Sequence, residues 1–239
     1  LSSQQLNILA PEVFGALTTQ QVPALPAVVV KTIATSALTG LTTDQVQSMT
    51  TEQVRALTVE QLAVFTTEQF AALETADVAS LVTSQVTAFN TAQLASMTTA
   101  QAAAMVPSLV SSLTSAQIRA LNTDQIAALT TSQVVNLTTA QTAALRTEQV
   151  SALETRDLVI MTGAQIRSLT TDQANALTTA QVSALTTAQW AAVTVDDMPA
   201  ISTAAIQALR TDQVVALTSQ QAASLTTAQL RALRTDQIQ

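Results

Sequence analysis

Thirty apolar residues stand at a fixed spacing of eight along this chain, from Leu1, Leu9, Leu17, Leu25, Ile33, Leu41 and Met49 to Leu225 and Leu233, and no insertion or deletion breaks the frame. Let that residue be position 1 of an octad. Position 6 is a second large apolar site, as in Val46, Val54, Leu62, Phe70, Val78, Trp190 and Ile238. Position 8 is small, as in Ala56, Ala72, Ser80 and Ala128, so the bulk of Ile160 there calls for local compensation. Position 3 is Thr or Ser in 24 of 30 octads and position 5 is Gln in 22 of 30, which gives L-T-T-x-Q-V-x-A.

A period of eight excludes the two simplest elements. An α-helix turns about 100° per residue, so its apolar stripe would drift about 80° per octad and no face would stay dry. In a flat strand, positions 1 and 6 differ by five and would face opposite ways. Each octad therefore holds a short element and a corner. Ala, Leu and Gln favour a helix. Eleven of the sixteen acidic residues occupy position 4, among them Glu12, Asp44, Glu52, Glu68, Asp124, Glu148 and Asp236; that is a first helical turn, where the macrodipole favours negative charge. Five of the nine basic residues, Lys31, Arg55, Arg119, Arg167 and Arg231, occupy position 7 on the same polar face. Helices this short are unstable alone and need stacked neighbours. The expected fold is an all-α solenoid with one short helix per octad; a triangular β-solenoid is the alternative.

The octads without Gln at position 5 carry Val13, Val29, Ala37, Asp77, Leu109, Asp157, Asp197 and Ala205. None falls in the series Gln21, Gln45, Gln69 to Gln237, spaced by 24, which suggests three octads per superhelical turn; two remains the alternative. Thr at position 2 with Gln at position 5 has the spacing of a capping box. Yet Arg146, Arg210 and Arg234 replace the Thr while Gln149, Gln213 and Gln237 persist, as do Thr147, Thr211 and Thr235. This favours position 3 as N-cap and leaves Gln another task. At the border of the apolar face, a half-buried amide must find partners, and backbone groups of the adjacent corner are the expected ones; a solvated helix-forming residue is the plainer alternative. Glu74/Asp77 and Glu154/Asp157 are paired in a way the octad rule does not account for.

Residues 1–40 hold three of the five prolines and degenerate octads, and read as an N-terminal cap; 41–239 read as the regular array, part of a longer one. The segment "AVVVKTIA" has strand-like composition, but in frame Val30 and Ile33 are core.

Composition narrows function. His, Cys and Tyr are absent, which removes the usual general bases and nucleophiles, so no catalytic, cofactor-binding or metal-binding residue is assigned and no enzyme is expected. Asp196 and Asp197 are the best calcium candidates, but no oxygen-rich loop accompanies them. Three glycines supply no phosphate cradle. Trp190, Met49, Met97, Met105 and Met161 occupy core positions. A net charge of −7 argues against nucleic acid, and no apolar run reaches the length of a transmembrane helix.

The octads "LTTAQVSA" and "LTTDQIAA" resemble tandem repeats of very large bacterial secreted and surface proteins, some adhesin-like or fibre-forming. The resemblance covers 41–239 clearly and 1–40 weakly. It implies an extracellular stalk, spacer or filament segment whose partners are other copies of itself, with a scaffold binding a protein or surface ligand along one face as the alternative.

Overall fold

A computed structural model describes residues 10–238; the position-1 residues Leu1 and Leu9 lie outside them. The described residues form short helices joined by tight corners, with no strand among them, so the β-solenoid is set aside. Each regular octad is built alike. In Leu177–Ala184, Thr178 is extended (φ −72°, ψ 160°), the helix runs Thr179–Ala184, and Leu185 returns to extended geometry (φ −52°, ψ 139°) to open the next octad. The described α-helices span four to six residues, and position 1 is again extended where they end, as at Leu57, Leu121 and Leu225. Among the described residues none has a positive φ, which is why so few glycines suffice.

The chain forms two compact units, Leu1–Leu121 and Asn122–Gln239. In the first, Thr91–Ser96 packs on Thr67–Ala71, one set of three octads earlier, and on Ser115–Ala120, three octads later. In the second, Thr203–Gln207 packs likewise on Thr179–Ala184 and Thr227–Ala232. Helices therefore stack at intervals of 24 residues, and three octads make one superhelical turn within each unit.

Positions 1 and 6 form the core. Leu121, Leu129, Leu137 and the four methionines named above are buried, as are Val30 and Ile33, and Ala27–Val30 is helical. Trp190 is fully enclosed. Phe70 and Phe89 meet edge to face, with ring centres 4.6 Å apart. The charged residues of positions 4 and 7 named above lie exposed. Ile160 turns its bulk outward to the rim of a shallow groove lined by Thr131, Ser132 and Val135.

The first described turn is closed differently. Pro11–Gly15 starts on a proline, where no helical N–H is needed. The backbones of Pro11 and Gly40 come so close that a Cβ on Gly40 would lie 2.0 Å from the Pro11 carbonyl oxygen.

Candidate functional site

Most octads bury one polar side chain, the position-5 glutamine, and it is used at both ends. Within the octad, the backbone N–H of Gln181 donates to the Thr178 hydroxyl at 3.2 Å, and the N–H of Thr178 donates to Gln181 Oε1 at 2.9 Å. This reciprocal pair is a capping box. Position 2, not position 3, is the N-cap, contrary to the expectation drawn from the arginine octads. The reason is that half of the box needs no side chain at position 2: the N–H groups of Arg146, Arg210 and Arg234 still donate to the Oε1 atoms of Gln149, Gln213 and Gln237.

The amide nitrogen then leaves the octad. Gln181 Nε2 donates to the carbonyls of Val150 and Leu153, both at 2.8 Å, which lie 31 and 28 residues earlier. Gln53 reaches Val22 and Leu25 in the same way, Gln93 reaches Leu62 and Phe65, and Gln229 reaches Met198 and Ile201. The receiving carbonyls belong to positions 6 and 1, at the end of a helix and its corner in the preceding superhelical turn. Such carbonyls have no intrahelical partner. The side chain is buried rather than half-buried. A buried amide is costly unless paired, and here both of its ends are. The adjacent corner is reached, but it is adjacent in space and not in sequence.

Aspartate at position 5 inverts this polarity, because it can only accept when ionised. Asp197 accepts from the Thr194 hydroxyl in its own octad and from the Thr171 hydroxyl, 26 residues earlier, at 2.9 Å. Both carboxylate oxygens of this calcium candidate are thus engaged, while Asp196 is exposed. Burial pushes the Asp77 carboxyl up, against the Thr51 hydroxyl and the Glu74 backbone N–H that favour its charged form, and the Glu74 carboxylate adds to the rise. Glu74 N–H donates to Asp77 Oδ2 at 3.2 Å. Asp157 is the least satisfied. It is fully buried, and neither oxygen has a hydrogen-bond partner. Arg156 Nε lies 3.6 Å from Oδ2, an ion-pair contact beyond hydrogen-bond reach. Burial pushes this carboxyl up, with the Arg156 charge opposing and the Glu154 charge reinforcing.

The arginines at position 2 carry a contact that the octad frame did not foretell. Arg210 Nε pairs with Asp212 at 3.0 Å, and its guanidinium donates to the carbonyls of Ser183 and Leu185 one turn below. Arg234 repeats this with Asp236 and the Gln207 carbonyl, and Arg146 pairs with Glu148 at 3.0 Å. The Arg210 guanidinium holds Asp212 below the usual carboxylate range, and Arg234 does the same for Asp236. The signal was present in the sequence: each of these arginines is followed two residues later by an acid.

Among the described residues no three acidic side chains gather as a metal cluster, and no helix is long and apolar enough to cross a membrane. The hollow among Phe14, Val22, Val30 and Leu38, which Gln53 also lines, measures about 10 Å³, with room for no organic ligand.

The hexad closing one octad and opening the next is "ALTTAQ" at Ala176–Gln181 and again at Ala184–Gln189. A family model described as the ALTTAQ repeat matches residues 49–75, 70–106, 110–139, 150–187 and 190–227, well over half of the chain. The chain belongs to the ALTTAQ repeat family. No curated protein matches the sequence significantly. In the ALTTAQ hexad of this chain, Leu fills the core, the first Thr caps the helix, and Gln closes the box and grips the turn below.

Proposed function

We propose that this ALTTAQ array is a non-catalytic structural segment: an extracellular stalk, spacer or filament-forming element of a bacterial surface or secreted protein, associating with other copies of itself end to end or side by side. The observation that carries the reading is where the polar chemistry is spent. The capping threonines are engaged within their own octads, and the buried glutamine amides, with Arg210 and Arg234, hold one turn on the next. What remains outside is a monotonous face of Ala, Ser, Thr and scattered charges, without the aromatic anchors that dominate binding surfaces. Such a chain contributes length and stiffness rather than recognition or turnover. Light scattering coupled to size-exclusion chromatography, with electron micrographs of the same fractions, tests it. Rods or fibres support the reading, and compact monomers at all concentrations overturn it.

A further inference from the structure

Within the second unit, one stack of octads departs from the others on its outer surface. Its helices Thr131–Val135, Thr155–Leu158, Thr179–Ala184 and Thr203–Gln207 lie on one another in that order. Positions 7 and 8 lie outside the core, and nothing large is needed there: every other position 8 of this unit is Ala, Ser or Asn. Yet Val135 and Val159 stand at position 7 in successive turns of this stack, and Ile160 stands at position 8. Val159 is half-buried, whereas Val135 and Ile160 are exposed. With Thr131 and Ser132 these two line a groove of about 200 Å³. In the octad that carries Ile160, the exposed side chains of Glu154 and Arg156 pair at 2.8 Å. The octads 129–136, 177–184 and 201–208 of the same stack carry no charge at all.

We propose that this face is the side-by-side contact between copies of this chain, made about a two-fold axis through the groove of Val135 and Ile160. The inference rests on the self-association proposed above and names the surface that carries it. A two-fold contact requires a surface complementary to itself, and this one is so in shape and in charge. It presents a knob, Ile160, on the rim of a hole, so that the Ile160 of each copy seats between Thr131, Ser132 and Val135 of the other. It also presents an acid and a base side by side, so that Glu154 of each copy meets Arg156 of the other and four charges alternate across the axis. A partner of different chemistry would be selected by a charge surplus, and here Glu154 and Arg156 cancel. Apolar side chains scattered singly on a surface need no partner, but these two share one groove. Two aliphatic side chains fall short of the roughly 1,600 Å² that a stable complex buries, so the pairing is reversible and grows with concentration.

The test is sedimentation velocity of the 239-residue chain over a concentration series, with electron micrographs of the same samples. The expected result is reversible pairing side by side. Ile160→Ala and Val135→Ala restore residues common at positions 8 and 7, so they should leave the thermal melt unchanged while weakening the pairing about tenfold or more, the equivalent of about 1.4 kcal/mol. Glu154→Arg places at position 2 the residue found at Arg146, Arg210 and Arg234, and should also weaken self-pairing. Mixing the Glu154→Arg and Arg156→Glu variants should restore pairing between them, which a merely sticky surface would not do. Sideways pairing that survives Ile160→Ala and Val135→Ala overturns this inference and leaves the proposed function standing, because another surface then makes the contact. Association that lengthens particles without widening them does the same. A chain that stays monomeric at every concentration overturns both.

Discussion

Replacing Asp157 with Gln should make the protein more stable at neutral pH. In the neighbouring octads Nε2 bonds two carbonyls; at this register the equivalents are Ile126 and Leu129, which face a residue with no donor. Two hydrogen bonds to neutral carbonyls contribute about 1–3 kcal/mol together. Removing a desolvated carboxylate works in the same direction. The loss is the 3.6 Å contact with Arg156, whose side chain is 62% exposed, a pair of the kind that contributes little. For a chain of this size, about 1–3 kcal/mol raises Tm by about 2–12 °C. The pH dependence is the sharper test. The folded-state pKa of Asp157 is raised, so the folded form holds its proton at a pH where the unfolded form has lost it. Its stabilising contribution is complete below the unfolded value of about 3.9 and is lost as pH rises through the raised value. The advantage of Asp157→Gln should therefore be smallest near pH 3 and grow toward pH 7. Urea unfolding followed by far-UV circular dichroism across that range measures it. A gain that is absent, or independent of pH, would refute the reasoning.

Other perturbations have defined outcomes. Gln181→Leu strips the donors from the carbonyls of Val150 and Leu153, and should cost about 1–3 kcal/mol in urea unfolding even though it adds apolar surface. Thr178→Ala removes only the side-chain half of the box and should cost about 1 kcal/mol in the same assay; Gln181→Leu should exceed it. Gly40→Ala places a methyl against the Pro11 carbonyl and should lose about 1–3 kcal/mol, with hydrogen-exchange protection falling in residues 11–40 before the rest of the first unit.

Much of the fold was readable because the packing positions repeat in phase. Leu129, Leu137 and Trp190 are core for the reason their spacing suggests, and the unbroken series Gln45, Gln69, Gln93 and Gln117 reflects the 24-residue turn. Two things were hidden. The reach of Gln181 to Val150 and Leu153 depends on which corners superpose after a full turn, and no local pattern encodes a distance of 28 residues. The N-cap was placed one residue late because an arginine at position 2 looked incompatible with a capping box; the backbone N–H of Arg146 serves there whatever its side chain. Asp157 shows the same limit, since its neighbour Glu154 is visible in sequence but its missing hydroxyl partner is not.

The grip of position 5 on positions 6 and 1 specifies phase within an octad and nothing about which octad is met. Adding or removing any multiple of eight residues preserves every such bond in kind, moving only the exceptions, such as the aspartates and prolines, from one edge of the superhelix to another. A gene encoding this chain can therefore lengthen or shorten by slippage between near-identical units and still yield a foldable product, with the span of the molecule adjustable in thirds of a turn.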